Sequence, residues 1–226
     1  MSSKHKKPEI NYKPDIKRIK RKLIFYASLI VVVAGSYFYG TFNPNWYVQE
    51  EIRSEEHMFS VKTAQALGLQ EPEFQYTDEE SFIQAVNKCV DFLNYTTMPE
   101  DRIPSGLIIA MAGIESGWGT SRFATEGNAL FGLRTWDPKI PQMKPLDLPK
   151  ARFGVKKYKT KCDSVRDAIR TLNTHHAYET FRTERDRQYH DIDRDYDKLV
   201  PLIAPWSTNE SYSDIILSTI KNRNFK

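Results

Sequence analysis

Apolar residues concentrate first between positions 23 and 42, where LIFYASLIVVVAGSYFYGTF runs for twenty positions without a charge. As a helix rising roughly 1.5 Å per residue, this run reaches about 30 Å, the depth of a bilayer's hydrocarbon layer. No later segment is similarly apolar. Residues 46–66 mix charges with scattered apolar positions and read as a partly helical stalk. After Thr77-Asp78-Glu79-Glu80, read as a capping box with Thr77 as cap and Glu80 at the third helical position, Phe82, Ile83, Val86, Cys89, Val90 and Leu93 recur at helical spacing. The pattern predicts an amphipathic helix over 78–95. Pro104 opens another, whose Leu107, Ile108, Ile109, Ala110, Met111, Ala112 and Ile114 are apolar nearly all round. That is a central core helix, stopped by Gly117 and Gly119.

Residues 133–160 break the helical pattern. Pro138, Pro141, Pro145 and Pro149 with several basic residues mark a long loop with room for a short hairpin, and Ala151-Arg152-Phe153-Gly154-Val155 has extended character. A helix resumes at Ser164, with Asp167 completing a second capping box, and continues through Val165, Ala168, Ile169 and Leu172. Short helices are predicted over 177–188 and 195–204. A final amphipathic one over 210–221 uses Tyr212, Ile215, Ile216 and Ile220. No repeat or low-complexity tract interrupts this order.

Charge changes the picture once it is partitioned. The 226 residues carry a net +4, but residues 1–22 alone hold nine Lys/Arg against two Asp/Glu. The rest is mildly acidic, so the basic balance belongs to a tail and no nucleic-acid partner is expected. Lys17, Arg18, Lys20, Arg21 and Lys22 abut the apolar run, and Tyr37, Tyr39, Trp46 and Tyr47 gather at its far end. Basic flanks stay cytoplasmic and amphipathic rings favour the interface, so the reading is N-terminus inside and residues 46–226 outside. A buried helix or a cleaved signal peptide would share the hydropathy. The 22-residue basic region and the poor cleavage site at Ala34-Gly35-Ser36 favour an uncleaved anchor. The chain thus divides into a tail (1–22), an anchor (23–42), a stalk and helical lead-in (43–76) and a mainly helical domain (77–226).

Cys89 and Cys162 lack CxxC or histidine partners at ligand spacing, which argues against a metal site. A disulfide is permitted outside the cytoplasm. Cys89 shares the apolar stripe of its helix, however, so the expectation is two buried thiols with no bridge required, the disulfide staying open as the alternative. Adjacent His175 and His176 point apart on a helix and do not jointly ligate a metal. No cofactor is called for.

The sharpest chemical signal is Gly113-Ile114-Glu115-Ser116-Gly117-Trp118-Gly119. Glu115 closes an apolar helix, where burial and the helix C-terminus both disfavour its negative form and raise its pKa. A carboxylic acid protonated near neutrality suits a general acid acting on a glycosidic oxygen. Gly117 and Gly119 would let backbone approach a sugar, and Trp118 would stack on one. The plainer alternative is a helix-terminal glutamate making a structural hydrogen bond.

IPSGLIIAMAGIESGWGTSRFATEGNALFGLRTW (103–136) resembles the signature of the glucosaminidase domains of glycoside hydrolase family seventy-three, and more closely their Bax-type branch. ARFGVKKYKTKCDSVRDAIRTLNTHHAYETFR (151–182) and WSTNESYSDIILSTIKNRN (206–224) resemble further blocks of that branch in order. The resemblance, over roughly 80–226, implies a mainly α (α+β) lysozyme-like helical domain with a small β-lobe, preceded here by one transmembrane helix. It implies hydrolysis of the β-1,4 bond on the reducing side of N-acetylglucosamine in peptidoglycan; together with the anchor read from residues 23–42, the expected location is a bacterial inner membrane with the domain in the periplasm. Glu115 matches the proton donor, Tyr212 a cleft tyrosine near it, and Gly127-Asn128-Ala129-Leu130-Phe131-Gly132 the stretch leading from the site's floor to the β-lobe. Asn128, Phe131, Trp136 and Trp206 join Trp118 as expected substrate contacts. For Tyr212 the alternative is a ring packed in the core.

The chain also departs from the pattern. Where the branch has a second carboxylate, Pro149 or Lys150 stands, and the nearest acids are Asp147 and Asp137. Asp147 is the nearer and is taken as the second catalytic candidate. Trp206 replaces a tyrosine, and Asn209 stands where an aspartate is usual. Two other functions stay open: a non-catalytic wall-binding or scaffold module, and non-hydrolytic cleavage to an anhydro product.

Overall fold

The computed structural model describes residues 15–42, 46–189 and 194–225, without the side chains of 42, 46–50, 53, 56, 57 and 65. The basic residues before position 15, the Asn43-Pro44-Asn45 break, and the rings of Trp46 and Tyr47 lie outside what is described. The chain forms two units, Met1–Ser54 and Glu55–Lys226.

In the first unit, α1 (Ile16–Phe42) contains the apolar run and starts seven residues before it. Asp15 explains the early start, since its carboxylate accepts from the backbone N–H groups of Lys17 and Arg18 at 3.1 and 3.2 Å. The helix is long and apolar enough to cross a membrane, and its large apolar side chains are exposed. Next comes α2 (Trp46–Ala66), which runs into the second unit.

The second unit is predominantly helical with one small sheet. The sequence misplaces the start of α3 (Glu79–Tyr95) by one residue. Asp78, not Thr77, is the cap: its carboxylate accepts from Ser81 N at 2.8 Å, and the Ser81 hydroxyl accepts from Asp78 N at 3.1 Å. A charged acceptor holds an orphan N–H more strongly than a hydroxyl does. Pro104 stands at the cap of α4 (Ser105–Ser116), whose Gly106–Gly113 stretch is wholly buried, and α4 packs against α3 on one side. A short helix not anticipated from the sequence, α5 (Arg122–Gly127), follows under a Ser121 cap.

The proline-rich excursion holds three strands rather than a single hairpin: β1 (Arg134–Thr135), β2 (Gln142–Met143) and β3 (Gly154–Lys156). Their order is β1-β3-β2, antiparallel throughout, with Val155 opposite both Arg134 and Met143. Lys144 clamps the β2–β3 loop, its ammonium donating to the carbonyls of Ala151 at 3.0 Å and Phe153 at 2.9 Å.

Helix α6 (Lys161–Thr174) begins a turn before the expected Ser164. Its capping box is Thr160 with Asp163. Ser164 is buried instead and accepts from Leu130 N at 3.0 Å. Asp167, the other half of the expected box, faces β3 and accepts from Lys156 Nζ at 2.7 Å and the Tyr158 hydroxyl at 2.8 Å. A 3-10 turn (His176–Tyr178), α7 (Glu179–Arg187), α8 (Tyr196–Leu199), a second 3-10 stretch (Val200–Trp206) and α9 (Tyr212–Arg223) complete the chain, and α6 and α9 also pack on α4.

The two cysteines correct the expectation of separate thiols. Both are fully buried, on the facing sides of α3 and α6, and they form a disulfide with a Cα–Cα distance of 5.4 Å. Occupying the apolar stripe does not keep Cys89 from bonding; it aims the sulfur at the neighbouring helix, at a separation that suits a disulfide.

Candidate active site

Helix α4 ends in a tight knot that presents Glu115. Gly117 adopts φ +57, and the backbone N–H groups of Gly117 and Trp118 both donate to the Gly113 carbonyl. The Ser116 hydroxyl donates to Ala112 O at 2.5 Å and accepts from Gly119 N at 2.8 Å. Trp118 itself has φ +54, and its indole lies where a Cβ at Gly113 would be, 2.5 Å from the ideal position. Gly119 is glycine for a related reason: its φ is +83, and a Cβ there would meet the rings of Phe82 and Tyr76 at 2.7 Å. The room at Gly119 is therefore filled by the protein's own aromatics rather than held for a sugar. Gly117 remains exposed.

Glu115 is half-buried where this knot meets the start of α9. Burial pushes its pKa above the ordinary carboxylate value, and the neighbouring Tyr212 hydroxyl offsets only part of that rise. Tyr212 is buried, and its own pKa is pushed far up, first by burial and then by the charge and hydrogen-bonding pull of Glu115. Its hydroxyl nevertheless completes no hydrogen bond of full geometry, so the contact with Glu115 is electrostatic and loose rather than closed.

An aromatic wall continues from this pair. Tyr178 is buried and close enough to Tyr212 to influence it electrostatically. Its ring lies 6.0 Å from that of Trp206, which in turn meets Phe131 edge-on at 6.2 Å. Glu115, Tyr212, Trp206 and Phe131, four residues singled out by sequence, thus form one contiguous group. Tyr178 is a member that no sequence signal singles out: it stands within the 151–182 stretch, and no spacing links it to Tyr212.

Other candidates lie elsewhere. Trp118 packs inward, edge-on to Phe82 at 6.3 Å, with the Arg223 guanidinium 5.1 Å from its ring centre. Asn128 sits at φ +53 and ties the end of α5 to the approach to α6: its amide donates to Tyr158 O and Lys159 O, and its oxygen accepts from Lys161 Nζ. Trp136 is exposed beside β1 and leans on Phe153 at 6.0 Å. Asp147 is exposed in the β2–β3 loop, and Asp137 is exposed in the β1–β2 loop, where it accepts from Lys139 N at 2.9 Å. Neither is among the groups that act on Glu115 or Tyr212. Among the described residues, no three His, Cys, Asp or Glu side chains gather as a metal site would require.

Comparison with known proteins agrees with this architecture. Over 85 residues the chain is 36% identical to the protein bax of Escherichia coli (strain K12), a match covering 38% of this chain and 29% of that relative. The chain therefore spans less than a third of the length of the curated relative it matches. The crystal structure of the catalytic domain of the autolysin Auto from Listeria monocytogenes superposes with a TM-score of 0.50 at 17% identity, over 73% of this chain and 93% of that one, a likeness of fold. The glucosaminidase family model, described as mannosyl-glycoprotein endo-beta-N-acetylglucosaminidase, matches residues 93–225, which include α4 and α9, the two helices that carry Glu115 and Tyr212, and the chain belongs to that family.

Proposed function

We propose that this protein is a membrane-anchored peptidoglycan hydrolase that cuts the β-1,4 bond on the reducing side of N-acetylglucosamine, with Glu115 as general acid. The observation that carries the reading is the burial of the Glu115 carboxyl at the end of α4, which keeps its proton to higher pH than an ordinary glutamate. A glycosidic oxygen departs as an alcohol only if a proton reaches it as the bond breaks, and a neutral carboxyl supplies one. Tyr212 stands beside the donor and orients a sugar, an N-acetyl group or water through its neutral hydroxyl. Trp206, half-buried and backed edge-on by the buried Phe131, offers aromatic surface to the glycan, in keeping with the apolar lining and sparse polar groups of saccharide-sized sites. Asp147 is the candidate base for water. Trp136 adds a proposed contact from the exposed lobe, whereas Trp118 and Asn128 act behind the site, Trp118 packed inward on Phe82 and Asn128 tying α5 to the approach to α6.

The same reading puts the tail in the cytoplasm and the domain in the periplasm of a bacterial inner membrane. Support comes from the basic residues that lead into the apolar part of α1 and from the Cys89–Cys162 bond, since disulfides persist in oxidising compartments. A second enzymatic reading, non-hydrolytic cleavage to an anhydro product, draws support from the phenol rather than a second carboxylate beside Glu115. Incubating the full chain in detergent with purified peptidoglycan tests both. Hydrolysis gives new reducing ends and products heavier by one water than the anhydro products of the other route. No release at all would overturn both in favour of a wall-binding module.

A further inference from the structure

A cavity of about 580 Å³ lies between α6 and the β1–β2 loop. Its lining is cationic although the chain beyond residue 22 is acidic overall: Lys157 and Lys159 reach it from the segment after β3, and Arg166 and Arg170 from α6. At its floor Asp167 is buried. Burial alone would raise the pKa of this carboxylate, but hydrogen bonds from Lys156, Tyr158 and Arg170 outweigh it and hold the value below the ordinary range. Asp167 therefore stays charged and is fully engaged. Arg166 is likewise engaged, by Asp163 and by Glu71, the latter at 2.9 Å.

Lys157 and Lys159 differ from these. Both are exposed, and neither meets a carboxylate among the described residues. The backbone beneath them is pinned, with Lys157 N donating to Pro141 O at 2.8 Å and Tyr158 N to Gly127 O at 2.9 Å. Two uncommitted ammonium groups thus stand on a rigid segment, facing an apolar wall made by Ile140 and Pro141. This arrangement suits a ligand of a few residues that carries carboxylates on a short aliphatic frame, and the volume lies within the range of small-ligand sites.

We propose that this cavity binds the carboxylate-bearing end of the short acidic peptides attached to the glycan, so that the protein reads peptide as well as sugar. The inference rests on peptidoglycan being the substrate. Lys157 and Lys159 hold the peptide's carboxylates, and Ile140 with Pro141 covers its methyl and methylene groups.

The test is calorimetric titration of the full chain in detergent, at low salt, with the tetrapeptide that an amidase releases from purified peptidoglycan. Saturable binding is expected, weakened about tenfold or more in the Lys157→Glu, Lys159→Glu double variant, where attraction becomes repulsion. Both positions are exposed, so folding is preserved, and an unchanged melting curve checks it. On intact peptidoglycan the double variant should turn over more slowly, while on glycan already stripped of its peptides it should match the parent. Absence of peptide binding, equal binding by the double variant, or full displacement by equimolar inorganic phosphate would overturn the proposal, the last by making the site a phosphate site. Peptide binding is read without turnover. A hydrolase that fails to bind the peptide loses only this proposal, and an inert protein that binds it through Lys157 and Lys159 loses only the hydrolase reading.

Discussion

Tyr212, the first residue of α9, holds its hydroxyl beside the carboxyl group of Glu115, the penultimate residue of α4. Burial drives both groups toward their neutral forms, and the phenol completes no hydrogen bond of full geometry. A buried polar hydrogen without a closed partner is uncommon in native proteins and calls for a reason. Here it leaves a buried phenol hydrogen without a closed partner next to a carboxyl whose pKa burial raises.

Glu115→Gln separates catalysis from structure. Turnover on purified peptidoglycan should fall about a hundredfold or more, the scale of lost general acid catalysis. Stability should move the other way. The folded state holds the Glu115 proton above the pH at which the unfolded chain releases it, so this group's contribution is present in full below the ordinary carboxylate range and is lost as pH rises through the folded value. The amide carries no such cost, and the variant should melt at or above the parent temperature at neutral pH. Normal melting with parental turnover would remove Glu115 from catalysis; melting well below the parent would make it structural.

Tyr212→Phe removes a hydroxyl that completes no bond, so stability should change by no more than about 1 kcal/mol. Because that hydroxyl lowers the Glu115 pKa, its loss should move the alkaline limb of the pH–rate profile to higher pH, with turnover down about tenfold or more. An unmoved limb would show that the two groups are not coupled in the working enzyme.

Asp147→Asn tests the second carboxylate. Its side chain is exposed, so folding should be unaffected. If Asp147 activates water, turnover should drop about tenfold or more. A parental rate would pass that role to Tyr212 or to the substrate's own acetamido group.

The Cys89–Cys162 bond closes a sequence separation of 73 residues. Loop-closure entropy of that size corresponds to about 4 kcal/mol, so a Cys89→Ala, Cys162→Ala double variant should unfold at distinctly lower denaturant. Thiol labelling of denatured, unreduced protein should find no free cysteine. Two free thiols would overturn the disulfide and with it one support for the periplasmic assignment.

Orientation across the membrane has its own test. Protease added to spheroplasts should degrade the domain and spare the N-terminal tail. A domain protected until the membrane is dissolved would reverse the proposed topology.

The apolar run, the helices and the glutamate at the end of α4 were legible in the sequence because each is written locally. Twenty uncharged positions, apolar residues at helical spacing and a Glu before Gly-rich residues require no knowledge of distant partners. Capping was less legible. Thr160-x-x-Asp163 and Ser164-x-x-Asp167 carry the same pattern one turn apart. The second was read as the helix start, but Leu130 engages Ser164, and Lys156 with Tyr158 engages Asp167, so only the first pair is free to cap.

Tertiary contact likewise decided what the sequence left open. Cys89 on an apolar stripe reads equally as a buried thiol or as half of a bridge until α6 brings Cys162 against it. Trp118 and Gly119 read as sugar-facing until Phe82 and Tyr76 fill the space beside them. Tyr178 acquires its place only through Tyr212 and Trp206. The sequence by itself determined the helical periodicity, the long apolar segment and the glutamate that ends α4, because these follow from side-chain order along one segment. Which cysteine bonds, which aromatic faces inward and which tyrosine meets the glutamate depend on packing between segments far apart in the chain, and that is set only when the helices close around α4.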